Sequence, residues 1–381
     1  MSKILHNRYL SARINSDLSE KMVLLAGPRQ VGKTTLALSL LANGSREHPA
    51  YFNWDDDHDR ARIRKHELPT GEPLIILDEI HKFKPWRNLI KGLFDKRGAN
   101  RSFLVTGSAR LDHYRRGGDS LQGRYHFYRL HPFSIMELEA NPDADTLSML
   151  LKFGGFPEPL FSQNERAWRR WRHERHSRIL RDDLRDLEHV REISQIEVLL
   201  SSLPERVGSP LSIRSLREDL GVAHDTVERW ISILENLYVV FRIMPFGAPK
   251  IRAVKKEKKL YFWDWSEISN SGSRMENMVA CQLLKYCHFL EDSEGYEMEL
   301  RYLRDTDRRE VDFVVIKDRK PVFAVECKSG EKSIGPAMEY FRQRTGIPVF
   351  YQVHLGTKDY EPGPGIRVLP WLQFCREMKM P

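Results

Sequence analysis

A chain of 381 residues is too long for one small module, and at roughly 100 to 200 residues per domain it divides into two or three. With 41% hydrophobic residues it can fill ordinary cores, while a mean hydropathy of −0.52 and the lack of any apolar run near the roughly 20 residues of a spanning helix exclude a helical membrane protein. The 61 Lys and Arg against 53 Asp and Glu leave a formal charge of +8, which favours a polyanionic partner such as nucleic acid, because neutralised phosphates release condensed counterions.

Met1-Ser2-Lys3-Ile4-Leu5-His6 lacks the continuous apolar core and small-residue cleavage site of an export signal, so the expected location is the cytoplasm. In that reducing compartment Cys281, Cys287, Cys327 and Cys375 are expected as thiols that pack like small hydrophobes. Met22–Ala26, Ala50–Asn53, Leu74–Leu77 and Phe103–Thr106 are short continuous apolar runs separated by helical stretches. Strands covered on both faces read this way, so residues 1–160 are expected as an α/β domain with a parallel sheet.

Between the first strand and an apolar helix lies Gly27-Pro28-Arg29-Gln30-Val31-Gly32-Lys33-Thr34-Thr35, which fits GxxxxGK[ST]. Glycines let successive N–H groups turn toward phosphate oxygens, the helix N-terminus adds partial positive charge, Lys33 reaches the β and γ phosphates, and Thr34 can ligate Mg²⁺. The strand Leu74–Leu77 then delivers Asp78, expected in the Mg²⁺ shell, and Glu79, expected to polarise the attacking water. These residues point to ATP and Mg²⁺ as cofactors. The strand Phe103–Thr106 ends in hydroxyls, and Thr106 or Ser108 is a candidate contact to the γ phosphate. Arg124, with Arg110 behind it, is the candidate arginine for transition-state charge, supplied across a subunit boundary in a ring.

Phe153-Gly154-Gly155-Phe156-Pro157-Glu158-Pro159 breaks regular structure and reads as a hinge between domains. Residues 161–259 are expected as a helical linker followed by a winged helix. The linker has Trp168, Trp171, Ile179, Leu180, Leu184 and Leu187 as its apolar positions, and Ile213–Leu220, a turn at Gly221 and His224–Leu234 form the helix-turn-helix. Tyr238–Ile243 is the expected wing strand, and Lys255-Lys256-Glu257-Lys258-Lys259 a basic surface run suited to phosphates. His224, Asp225, Glu228 and Arg229 should lie on the exposed side of the second helix, where the acids dilute affinity for DNA.

Residues 260–381 mix helices and strands again. Arg309–Val315 carries Asp312 on one strand, and Val322–Lys328 carries Glu326 and Lys328 on the next, two apart and therefore on one face. Two carboxylates and a lysine in this D…ExK arrangement are able to hold Mg²⁺ or Mn²⁺ and cut a phosphodiester, with Glu276 on an upstream helix as a further acid. The same residues also suit a salt-bridge network that cuts nothing.

In the order of its landmarks the chain resembles a widespread prokaryotic family of AAA-type ATPases whose C-terminal domain looks restriction-endonuclease-like. The landmarks are the Gly27–Thr35 loop, Leu77-Asp78-Glu79-Ile80, Thr106-Gly107-Ser108, Gly123-Arg124, Leu130–Leu138, Gly154–Glu158, Glu310–Phe313 and Glu326-Cys327-Lys328. The resemblance implies an AAA-type ATP-binding domain, a winged-helix middle, a nuclease-like α/β end, homo-oligomerisation and a DNA partner. The expected activity is therefore Mg²⁺-dependent ATP hydrolysis coupled to DNA binding or remodelling, as in a ring motor or branch-migration enzyme. An ATP-dependent nuclease and a nucleotide-gated protein-interaction switch are the alternatives.

Overall fold

In the computed structural model the described residues are 8–96, 101–107, 111, 121–139, 141–179, 184, 192–247 and 257–381. Ser108, Arg110, Leu180, Leu187, Lys255 and Lys256 lie outside them. Contacts divide the chain into two units, Met1–His131 and Pro132–Pro381.

In the first unit the apolar runs form a five-stranded parallel sheet. Its strands are β1 (Met22–Ala26), β2 (Tyr51–Asn53), β3 (Leu74–Asp78), β4 (Ser102–Thr106) and β5 (Tyr125–Arg129), in the order β2-β3-β4-β1-β5. Every residue of β1 and β3 is buried, as strands covered on both faces must be. Because all pairs are parallel, with Leu25 opposite Thr106 and Asn53 opposite Asp78, the carboxyl ends of β1, β3 and β4 meet at one edge. Open parallel sheets place ligands at that edge, beside the point where strand order reverses, and here that point is β1.

The second unit is built on an eight-stranded mixed sheet. Its strands are β6 (Val240–Pro245), β7 (Lys259–Phe262), β8 (Met298–Arg304), β9 (Glu310–Lys317), β10 (Lys320–Lys328), β11 (Phe350–His354), β12 (Tyr360–Gly363) and β13 (Ile366–Pro370), in the order β12-β13-β11-β10-β9-β8-β6-β7. The helix Ser271–Glu294 is clipped to β7 by Asn277, whose side-chain amide exchanges hydrogen bonds with Phe262 N–H (2.8 Å) and C=O (2.6 Å).

Three expectations change here. The Gly154-Gly155 tract is a packed interior, not a hinge: a Cβ on Gly154 would lie 2.5 Å from Asp264 Oδ1, and one on Gly155 2.6 Å from the Trp265 ring. Its glycines serve close approach, and Phe133 N–H donates to Gly155 C=O (2.7 Å) while Trp265 Nε1 donates to Leu150 C=O (2.9 Å). Residues 132–160 are thus tied into the second unit. The helices Ile213–Leu220 and His224–Asn236 and the left-handed Gly221 between them are present. The expected wing strand, however, is β6, which pairs antiparallel with β7 and parallel with β8, so its sheet crosses the expected boundary at 259/260. Its backbone groups find their partners in the large sheet rather than in a free hairpin. Lys259, finally, is no part of a solvated run, because it is fully buried.

Among the described residues no helix is long and apolar enough to cross a membrane.

Candidate functional site

The loop after β1 takes a path that its glycines permit. Gly27 has φ +149°, and a Cβ there would collide with the Leu130 carbonyl oxygen; Gly32, at φ +103°, caps the helix Lys33–Ser39. Lys33 is buried, and its Nζ donates to the carbonyls of Gly27 (2.9 Å) and Pro28 (2.8 Å), which fixes the ammonium over the loop. Pro28 and Val31 are buried, Arg29, Gln30 and Thr34 half-buried, and Thr35 exposed.

Asp78, at the end of β3, is 4% exposed and organises the edge. Its Oδ2 accepts from Thr34 Oγ1 (2.7 Å) and from the Tyr51 hydroxyl (2.8 Å), and its Oδ1 accepts from Thr106 Oγ1. Thr106, the candidate γ-phosphate contact, thus spends its hydroxyl proton on Asp78. A hydroxyl and a carboxylate in direct contact are hard oxygen ligands, so Thr34 and Asp78 fit a Mg²⁺ shell.

Glu79 follows at φ +57°, a turn that swings its carboxylate away from the strand. Its Oε2 lies 3.8 Å from His81 Nε2 and 3.9 Å from Lys82 Nζ. Burial, with the charge of Asp78 adding to it, raises the Glu79 carboxyl above the usual carboxylate range against the pull of Lys33. The group is thus made a better proton acceptor beside the Thr34–Asp78 pair.

Arg124 stands elsewhere. It precedes β5, whose Tyr125 is opposite Met22 and whose Arg129 is opposite Ala26, so it sits at the amino end of the sheet, roughly 13 Å or more from the loop at about 3.3 Å per residue. There its guanidinium pairs with Asp95 (2.8 Å). It cannot reach a phosphate in its own unit.

Sequence reasoning missed three residues of the first unit. Tyr51 and His81 sit in or beside strands where apolar pattern says nothing of where a hydroxyl or imidazole ends up. Arg8 is buried and donates to the carbonyls of Val31 (2.9 Å) and His131, tying the start of the chain to the loop.

In the second unit the four D…ExK candidates do come together. Lys328 Nζ lies 2.5 Å from Glu326 Oε1, and Asp312 Oδ2 accepts from the Cys327 N–H (2.8 Å). Glu276, from the helix, accepts from the Tyr261 hydroxyl (2.8 Å) and sits so close under Gly208 that a Cβ there would be 2.8 Å from its Oε2. The member that spacing did not reveal is Lys259, whose Nζ lies 2.5 Å from Glu310 Oε1, 3.4 Å from Glu276 Oε1 and 3.7 Å from Asp312 Oδ1. β7 stands three places from β9 in the strand order, so the sheet curls to bring them together. Burial and the neighbouring carboxylates push Glu276 up to about 8, and burial with Asp312 pushes Glu326 up to about 7. Asp312 is raised by burial against the pull of Lys259, and Lys259, although burial opposes its charge, is held protonated by Glu276, Asp312 and Glu310.

On the helix-turn-helix, His224, Asp225 and Arg229 are exposed, while Glu228 is drawn to Arg242 of β6 (2.7 Å). The exposed side therefore presents mixed charge.

Residues 19–139 match a family model described as an AAA domain. Residues 144–269 and 271–374 match two further models, each described as a domain of unknown function (DUF8612 and DUF4143). An uncharacterized protein of Mycobacterium tuberculosis is 26% identical over 268 residues, covering 68% of this chain and 58% of that relative. The chain thus spans 58% of the length of this relative. An uncharacterized protein of Methanocaldococcus jannaschii is 24% identical, over 93% of this chain and 86% of that relative. Among solved structures the Thermotoga maritima RuvB Holliday junction branch migration motor is similar at 18% identity, over 61% of this chain and 87% of that chain. Its TM-score of 0.32 carries no functional argument.

Proposed function

From the AAA domain over residues 19–139 and the geometry at its sheet edge, we propose that the chain is a Mg²⁺-dependent ATPase that couples hydrolysis to the binding or remodelling of DNA and works as a homo-oligomer. The observation that carries this reading is the hydrogen bond between Thr34 of the loop and Asp78 (2.7 Å), with the proton-seeking Glu79 as the next residue. Backbone N–H groups of the loop and the Lys33 ammonium bind the phosphates, and Thr34 and Asp78 hold the metal. Bound Mg²⁺ supplies charge neutralisation on the β and γ oxygens. Glu79 takes the proton of the attacking water, and burial has already weakened its preference for the charged form. Arg124, out of reach of its own site, is left for a neighbouring subunit of a ring.

The DNA part rests on the +8 charge and on the helix-turn-helix at Ile213–Asn236. The test is ATP hydrolysis by wild type, Lys33→Ala and Glu79→Gln, alone and with single-stranded, duplex and four-way-junction DNA. Lys33→Ala is expected to be inactive, and Glu79→Gln to retain ATP while losing roughly 100-fold or more in rate. One DNA form should raise the wild-type rate. Hydrolysis that survives Lys33→Ala overturns the ATPase reading; a rate indifferent to every DNA, with no salt-sensitive binding, overturns the coupling and turns attention to a protein partner.

A further inference from the structure

The D…ExK strands of the second unit raise the question of a divalent cation, and their geometry answers it differently from their spacing. Mg²⁺ takes oxygens at about 2.0–2.1 Å in an octahedral array, and Mn²⁺ sites are also octahedral and oxygen-rich, so carboxylates must converge with open lone pairs. Among the described residues the group of three or more metal-ligating side chains whose ligand atoms all lie within 4.8 Å of one another is Asp56, His58 and Asp59, in the other unit. Glu276, Asp312 and Glu326 form no such group. What stands between the acids is an ammonium: Lys259 Nζ, on a fully buried side chain, is 2.5 Å from Glu310, 3.4 Å from Glu276 and 3.7 Å from Asp312.

The remaining oxygens are also largely engaged. Glu310 Oε2 pairs with Arg304 (2.6 Å), Asp312 Oδ2 accepts from the Cys327 amide, and Glu326 Oε1 pairs with Lys328. Of the oxygens of these four acids, Glu326 Oε2 is the one buried with no hydrogen-bond partner. Four carboxyl groups therefore face three cations, Lys259, Lys328 and Arg304, and a divalent ion entering this set would have to sit against a buried ammonium. Burying that ammonium is costly unless it is paired and hydrogen-bonded, and its three carboxylate neighbours meet the condition.

We propose that Lys259 takes the place of a metal ion in this cluster, so that the second unit binds no divalent cation at Asp312 and Glu326 and cuts no phosphodiester there. Lys259 joins β7, β9 and the helix Ser271–Glu294 through one internal cation, β10 is held to the cluster by the Cys327 N–H on Asp312, and the role of the cluster is to fix these elements together. The inference does not depend on ATP hydrolysis by the first unit and is tested with nucleotide absent.

The experiment is a Mn²⁺ titration of the nucleotide-free full chain followed by electron paramagnetic resonance, comparing wild type, Asp312→Asn and Lys259→Met. Wild type and Asp312→Asn are expected to take up Mn²⁺ identically, and Lys259→Met to gain one further Mn²⁺ per chain. A wild-type site that vanishes in Asp312→Asn overturns the proposal, as does a folded Lys259→Met that gains nothing. If Lys259→Met does not fold, wild type against Asp312→Asn decides alone. Wild type incubated with DNA and Mn²⁺ supplies a second readout: intact substrate is expected, and cleavage lost in Asp312→Asn overturns the inference.

Discussion

Replacing Glu276 by Gln should flatten the dependence of stability on pH, and the sign follows from which state holds the proton. The Glu276 carboxyl is pushed up to about 8 in the folded chain, against an ordinary value of 4.5. Below about pH 4.5 both states are protonated, and above about pH 8 both are charged. Between these limits the folded state keeps a proton that the unfolded chain has released, so stability falls as pH rises through the window. An isolated group displaced this far would account for about 5 kcal/mol. The charges of Asp312 and Glu310 oppose ionisation of Glu276 while Lys259 favours it, so part of the effect belongs to the cluster, and about 2 kcal/mol should disappear with the single substitution. Glutamine keeps an oxygen for the Tyr261 hydroxyl and for Lys259, and Lys259 retains Glu310 at 2.5 Å. Glu276→Gln should therefore equal wild type near about pH 5 and exceed it by about 2 kcal/mol above about pH 8. Urea unfolding followed by tryptophan fluorescence reads this out, since six of the eight tryptophans lie in the second unit. A variant with the wild-type slope, or one weaker than wild type above about pH 8, would refute the linkage.

Gly27→Ala should destabilise the first unit by more than about 2 kcal/mol, because the new Cβ meets the Leu130 carbonyl; Gly123→Ala, with a positive φ but open space, should cost about 1–2 kcal/mol in the same thermal unfolding. Equal losses would mean that backbone conformation alone decides. Tyr51→Phe removes one of three hydroxyls from the buried Asp78 carboxylate and should cost about 1–2 kcal/mol in urea unfolding, and an unchanged midpoint would show that this bond does not hold Asp78. Arg124→Ala should lower ATP hydrolysis only at concentrations where chains associate, whereas an equal loss at high dilution would contradict its position at the far end of the sheet.

What sequence made legible was whatever depends on near neighbours in the chain. Continuous apolar runs announced four of the five strands of the first sheet, since a strand buried on both faces has no polar alternation to hide it. Thr34 and Asp78 were legible because a loop motif and a strand end each fix a residue at a known place. Glu326 and Lys328 were legible because two residues apart on a strand share a face, and they do pair. Failures came where the answer depended on what folds against a segment. Two glycines and two prolines in 153–159 signal the end of regular structure, but only Asp264 and Trp265, more than a hundred residues on, decide that the tract is packed rather than hinged. Tyr238–Ile243 reads as a strand with no indication of which sheet receives it, and the unmet backbone groups of β7 and β8 settled that.

Lys259 marks the limit most sharply. Within Lys255-Lys256-Glu257-Lys258-Lys259 it is chemically indistinguishable from its neighbours, and a run of charge reads as solvated because isolated charges are too costly to bury. The cost is offset only by partners, and those partners are Glu310 and Asp312 from β9 and Glu276 from a helix, none within sixteen residues of it. The acidic signature that suggests a metal site is therefore the same feature that lets one lysine of the run be buried. A D…ExK spacing tells that Glu326 and Lys328 share a strand face and that Asp312 comes from another strand; whether a metal or an ammonium neutralises the acids is decided by a residue that the spacing does not contain, and here the first residue of β7 supplies it.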